Sequence, residues 1–215
     1  MLCRSTECES VQPLHTFHEV ILNNGSSYVI LKDNLELTSS SLIGFSFKTC
    51  DASGQLFRQL SAQTDSVILS FSSTGGLILT IESGSERKSV EAGSNLADGD
   101  WHTVRIGVSA NRTTLCLSVD ASGPETECAP ERTGPTVVSG ANPLTISRIE
   151  AVQDLLTTLD LSAGQLRVGS GLVGCIREGP GLRFTEDRVR DNSGVEWDHC
   201  LLPDSCAGKY SLSLF

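Results

Sequence analysis

Apolar and polar residues alternate with a period of two along most of the chain, which is the pattern of half-buried β-strands. The clearest alternations lie in residues 43–47, 66–71, 77–81, 102–108 and 115–119. Short runs rich in Gly, Asn, Asp and Ser separate these segments and indicate tight turns. Strands of this length joined by short turns predict an all-β fold, an antiparallel sandwich.

One segment follows a helical period instead. Ile149, Val152, Leu155, Leu156 and Leu159 recur at the spacing of one helix face, with polar residues between them. The pattern predicts a short helix near 149–159 that packs over a sheet edge.

The charge of the chain excludes several classes of partner. There are 16 Lys and Arg against 26 Asp and Glu, a formal net charge of −10. This balance argues against nucleic acid and counts against heparin, because both require a basic surface. The mean hydropathy is −0.03 and no long apolar run occurs, so we expect no direct membrane insertion of this segment.

The cysteines and glycosylation sequons indicate an oxidising compartment. The chain has 8 cysteines, and sequons begin at Asn24 and Asn111. No signal peptide is visible after Met1. We therefore expect an extracellular segment of a larger secreted or single-pass membrane protein.

Motifs for catalysis are weak. Residues 169–174 match a dinucleotide-binding glycine pattern, but Gly179-Pro180-Gly181 follows too closely for the helix that this pattern requires. No nucleophile elbow of the G-x-S-x-G type occurs. The sequence predicts a non-enzymatic protein.

Three segments carry a family resemblance, and they occur in the order typical of that family. Residues 98–104 (DGDWHTV) resemble the D-G-x-W-H-x-V signature of laminin-G-like domains. Residues 42–57 (LIGFSFKTCDASGQLF) and residues 172–177 (LVGCIR) resemble two further strands of the same family. The resemblance covers about residues 11–200 and implies a two-sheet antiparallel jelly-roll sandwich.

The resemblance also assigns several side chains. It implies a disulfide between Cys175 and Cys200, and it places Trp101 in the core at the start of a strand. Cys116 and Cys128 flank a predicted hairpin turn, so a bridge between them is expected. The resemblance gives no partner for Cys50, which is expected to be free or bonded to Cys3 or Cys8.

The two ends of the chain resemble pieces of neighbouring modules. Residues 1–10, with Cys3 and Cys8, resemble the tail of an EGF-like module or a linker. Residues 201–215, with Cys206, resemble a linker and the start of the next module. EGF and laminin-G modules alternate in polarity proteins of the crumbs type, in cadherins of the fat and flamingo type, in slits and in neurexins.

The resemblance implies an adhesion or recognition module that binds a protein or glycan at one rim of the sandwich, with Ca²⁺ as a candidate cofactor. Asp65 occupies the position of the family's acidic ligand, and carbonyl ligands would come from Ser83 and from residues 137–142. Two alternatives stay open. One is a lectin-type jelly roll that uses Trp197 at a rim, and the other is a structural spacer between EGF modules.

Overall fold

The computed structural model describes residues 16–39, 41–61, 65–120, 145–202 and 206. In these residues no helix combines the length and the apolar character that crossing a bilayer requires. The elements, in chain order, are β1 Thr16–Phe17, β2 Glu19–Leu22, β3 Tyr28–Leu31, β4 Leu42–Thr49, β5 Gln55–Leu60, β6 Ser66–Phe71, β7 Leu77–Ser83, β8 Glu86–Ala92, β9 His102–Val108, β10 Thr114–Val119, β11 Thr145–Glu150, α1 Gln153–Thr158, β12 Gln165–Ser170, β13 Gly174–Arg177, β14 Phe184–Thr185, β15 Val189–Ser193 and β16 Val195–Glu196.

The strands form two seven-stranded antiparallel sheets, which confirms the predicted all-β sandwich. Sheet I has the order β11-β10-β9-β4-β13-β2-β16, and sheet II has the order β15-β3-β12-β5-β6-β7-β8. Strands β1 and β14 pair separately as a short ribbon. Both sheets contain neighbours that are far apart in the sequence, so the sandwich depends on long-range pairing.

The core lies between the sheets, where the period-two alternation of the sequence is directly visible. Ile43, Phe45 and Phe47 of β4 are buried, and the rings of Phe45 and Phe57 meet edge-on at 6.0 Å across the two sheets. Such a pair adds about 0.5–1.5 kcal/mol to the burial of the two rings. Phe47 makes a second edge contact, at 5.7 Å, with Phe71.

The predicted helix exists but is shorter than its hydrophobic pattern. Helix α1 spans Gln153–Thr158, and its residues Leu155 and Leu156 are buried. Ile149 belongs instead to β11, where it lies opposite Leu115 of β10. Ala151, with a φ of 55°, separates the strand from the helix. The apolar period of the sequence therefore continues across the break between β11 and α1.

Candidate functional site

One end of the sandwich is organised around the carboxylate of Asp65, directly before β6. The side chain is buried, with 8% exposure. Its Oδ1 accepts a hydrogen bond from the backbone N–H of Gly84 at 3.2 Å, and its Oδ2 accepts one from the N–H of Asp160 at 2.7 Å. Hydrogen bonds to a charged group contribute about 1.5–3 kcal/mol each. Asp65 therefore joins two loops that are distant in the sequence.

The backbone of Asp65 fixes a third segment at the same end. The N–H of Ser61 donates to the Asp65 carbonyl at 2.8 Å, and the Asp65 N–H donates to Ser61 Oγ at 3.3 Å. Ser83, the last residue of β7, donates its hydroxyl to Thr158 Oγ1 at 3.1 Å. We call this end the Asp65 rim; it comprises residues 61, 65, 83–86 and 157–162.

Two basic side chains hold α1 beside the rim. Arg112 donates from Nη2 to the carbonyl of Leu156 at 3.1 Å, near the C-terminal end of the helix, where a cation is favourable. Lys88 donates from Nζ to the carbonyls of Glu150 and Ala151. The entry to the helix is therefore tied to β8, and its last turn is tied to the turn between β9 and β10.

The rim carries negative charge. Asp160 is exposed, and its Oδ1 accepts hydrogen bonds from both the hydroxyl and the N–H of Ser162. These bonds hold the pKa of Asp160 below its usual value. Its carboxylate is therefore ionised at the rim throughout the physiological pH range.

The structure brings Asp65 and Ser83, the predicted calcium residues, to the same rim. Each Asp65 oxygen accepts one N–H group, which uses one of its two lone pairs. In the described part of the chain no three His, Cys, Asp or Glu side chains gather in a metal-binding arrangement. Residues 137–142, which were expected to add carbonyl ligands, lie outside it. The described donors fit the joining of loops better than a Ca²⁺ site.

The opposite end of the sandwich contains a charged cluster that the sequence did not predict. The imidazole of His102 is buried, with Nδ1 2.7 Å from Asp120 Oδ2 and Nε2 2.9 Å from Asp98 Oδ1. Burial, the largest influence, lowers the pKa of His102, but the bonds and charges of the two carboxylates outweigh it and raise the pKa above its usual value. We call these three residues the His102 cluster.

The two tryptophans have roles that differ from those expected. Trp101 is only partly buried, and the guanidinium carbon of Arg177 lies 4.0 Å from its ring centroid, so the prediction of a core residue is wrong. Trp197, the expected sugar platform, packs against the core with its ring 6.0 Å from that of Phe184. Its ring therefore contributes to packing.

Two disulfides bind the end of the chain to the sandwich. Cys175 and Cys200 are bonded, the pair that the resemblance implies. Cys50 is bonded to Cys206, so the assignment of Cys206 to a following module is wrong, as is a free or N-terminally bonded Cys50. The N–H of Cys206 also donates to the carbonyl of Asp98 at 3.3 Å. This hydrogen bond places Cys206 beside the His102 cluster.

Other predicted residues are placed only in part. Cys116 is disulfide-bonded, but its expected partner Cys128 lies outside the described residues. Asn24 and Asn111 are exposed. Each Oδ1 accepts hydrogen bonds from the N–H and hydroxyl of the third residue of its sequon, Ser26 or Thr113. Both asparagines therefore stand in turns on the surface.

Comparison with known proteins agrees with this architecture. The family model for the laminin G domain matches residues 47–178. The fold resembles domains LG4-5 of the mouse laminin alpha1 chain, with 17% identity and a TM-score of 0.58 over 91% of this chain and 51% of that one. It also resembles the LG1-3 region of the laminin alpha2 chain, with 14% identity and a TM-score of 0.58 over 84% of this chain and 34% of that one. The chain thus spans about half or less of these two structures, and it belongs to the laminin G domain family.

Proposed function

We propose that this domain is a non-catalytic extracellular recognition module whose protein or glycan ligand docks on the Asp65 rim. Laminin G domains are generally non-enzymatic and typically bind extracellular protein or glycan ligands. The observation that carries the choice of rim is the buried Asp65 carboxylate, which holds Gly84 and Asp160 in one surface. Loops that are already ordered lose less conformational freedom when a partner binds.

Among the candidate ligands we favour a protein. Sugar binding commonly uses an open aromatic face, but Trp197 packs against Phe184, and Trp101 is covered by Arg177. The net charge of −10 also opposes a polyanionic glycan such as heparin. A lectin function would require a sugar platform in another part of the surface.

Calcium dependence is a separate proposal. Each oxygen of a carboxylate has two lone pairs, so Asp65 keeps acceptor capacity after binding the two N–H groups. With one carboxylate and carbonyl oxygens as ligands, Ca²⁺ would bind with the weak affinity of extracellular modules. Recognition at the rim does not require the ion, because the loops are already joined by hydrogen bonds.

We also propose that the domain belongs to an extracellular protein in which EGF-like and laminin G modules alternate. The family and the disulfides fit an ectodomain, and Cys3 and Cys8 fit the tail of a preceding EGF-like module. An alternation of EGF and laminin G modules, as in cell polarity proteins and large cadherins, would place the rim in an extended extracellular chain.

The test compares two exposed serines at opposite ends of the sandwich. Ser85 lies in the turn between β7 and β8 at the Asp65 rim, and Ser94 lies after β8 at the other end. The purified domain and the Ser85→Arg and Ser94→Arg variants are applied to arrays of extracellular proteins and glycans. We expect protein ligands that Ser85→Arg loses and Ser94→Arg keeps. Glycan ligands alone would favour the lectin alternative, and no ligand at all would favour the spacer.

A further inference from the structure

Two arginines stand directly opposite one another on the outer face of sheet II. Arg58 of β5 pairs in register with Arg167 of β12. Side chains opposite each other in an antiparallel pair share a face, with Cβ atoms about 4.5–5.5 Å apart, and like charges in this position are destabilising. Repulsion between the two guanidinium groups therefore lowers the stability of the fold. This cost suggests that the two arginines serve to bind an anion.

Neither arginine has a carboxylate partner among the residues that the structure describes. The guanidinium carbon of Arg167 lies 4.0 Å from the ring centroid of Tyr28. The Nε atom of Arg167 is buried and has no hydrogen-bond partner among the described residues. Asp191, the acid on the neighbouring part of this sheet, accepts a hydrogen bond from the Tyr28 hydroxyl at 3.0 Å. Other arginines do pair with carboxylates, among them Arg87, Arg177, Arg183 and Arg188. Arg58 and Arg167 are therefore open to an external anion.

A cleft of about 280 Å³ lies beside the two arginines. Its neutral wall combines the aliphatic side chains of Ile30, Leu60 and Ala163 with the polar residues Ser61 and Gln165, and Leu60 is 42% exposed. The volume is below the range of about 300–1,000 Å³ that is usual for small-molecule pockets. It suits one side chain of a larger partner. We call it the Arg58 cleft.

We propose that the Arg58 cleft binds the carboxylate side chain of a glutamate or aspartate from a protein partner. A guanidinium can hold a carboxylate through two parallel hydrogen bonds, and the aliphatic part of the wall would contact the methylene groups of the acidic residue. Stacking on Tyr28 restricts Arg167 before the partner arrives, which lowers the entropic cost of binding. The cleft borders the Asp65 rim at Ser61, but its two arginines lie on the outer face of sheet II, so the proposal goes beyond ligand docking on the rim.

An acidic protein side chain fits this cleft better than an acidic sugar chain. Part of the wall is aliphatic, and Arg167 covers the aromatic ring of Tyr28 on which a sugar could stack. A polyanion would be repelled by the net charge of −10, whereas one carboxylate interacts with the two arginines over a short distance.

The test uses arginine Nε–H signals of the intact, isotope-labelled chain in NMR titrations. The probes are acetyl-leucyl-glutamate amide, its neutral glutamine counterpart, and glucuronate. We expect the glutamate peptide to shift the signals of Arg58 and Arg167 with a dissociation constant on the order of 1–10 mM. The glutamine peptide should leave them unchanged. Equal shifts with both peptides, no shift with either, or tighter binding of glucuronate would overturn the proposal.

A pair of variants separates the cleft from general charge effects. Arg58→Gln should weaken the glutamate peptide about five- to thirtyfold. Arg87→Gln, which removes the same charge from the exposed face of β8, should leave its affinity unchanged. Because Arg58→Gln removes a like-charge contact, it should also raise the Tm by about 1–3 °C. A lowered Tm, or equal weakening by both variants, would assign Arg58 a purely structural or nonspecific role.

Discussion

Nδ1 of His102 lies 2.7 Å from Oδ2 of Asp120, and the same imidazole contacts Asp98 through Nε2. A buried imidazole between two carboxylates is stabilised in its protonated form, in which both ring nitrogens donate. The second oxygen of Asp120 accepts the N–H of Thr103 at 2.8 Å. The cluster thus fixes the start of β9 to the end of β10.

This geometry predicts that stability falls as the pH rises from neutral to alkaline. The pKa of His102 is raised in the folded state, so its contribution is complete below the ordinary value of 6.5 and is lost as the pH passes the raised pKa. The measurement is the free energy of unfolding by urea at several pH values for the wild type and His102→Gln. We expect the wild type to lose stability relative to the variant above pH 6.5. Parallel curves would contradict the charged cluster.

The Cys50–Cys206 bond predicts a strong dependence of stability on the segment after β16. The bond closes a loop with a sequence separation of 156 residues. Loss of a native disulfide typically costs about 2–5 kcal/mol. Replacing both cysteines by alanine should lower the free energy of unfolding by that amount. The matched control removes Cys175 and Cys200, whose separation is 25 residues. Unchanged stability in the Cys50 and Cys206 variant would show that the bond does not form.

Asp65→Asn separates the joining of loops from calcium binding. Gly84 and Asp160 donate to different oxygens of Asp65, so the amide places its NH2 group against one of these N–H donors, and we expect a loss of about 1–3 kcal/mol. Thermal unfolding with Ca²⁺ and with a chelator completes the test. A Ca²⁺-dependent rise in the Tm of the wild type, absent in Asp65→Asn, would show that Asp65 binds Ca²⁺. A destabilised variant with no Ca²⁺ effect in either protein would leave Asp65 with its structural role alone.

Both sequons are predicted to carry glycans on the protein secreted from animal cells. The side chains of Asn24 and Asn111 are exposed, although neighbouring residues of both turns bond to other segments of the domain. Peptide mass spectrometry with and without glycosidase should find sugar at both positions. Ser26→Ala and Thr113→Ala should each remove one glycan. Unmodified Asn24 and Asn111 peptides from the secreted protein would refute the prediction.

The local pattern of the sequence predicted the strands, because apolar residues at every second position of β4, β7 and β9 face the core. Burial alternates strictly in β9, whereas β4 and β7 also bury residues of the other face. It could not locate the end of a helix across Ala151, since apolar spacing does not reveal a positive φ. The distance from Cys50 to Cys206 likewise leaves no local signal, and their pairing depends on the path of the chain.

The candidate sites illustrate the same limit. Family position identified Asp65, but its partners Gly84 and Asp160 come from separate loops. The motif that contains His102 was recognised, although the carboxylate of Asp120 on another strand gives the residue its charge. The contact of Arg58 with Arg167 depends on the register of β5 against β12, which no single segment encodes.

The most direct test of recognition at the Asp65 rim is hydrogen exchange of the intact chain with and without the protein partner found on the arrays. The domain should gain protection in peptides that cover residues 61, 83–86 and 157–162. Turns at the opposite end, at residues 72–76 and 93–100, should exchange at the same rate in both samples. Protection confined to the opposite end, with an unchanged rim, would contradict the proposed function.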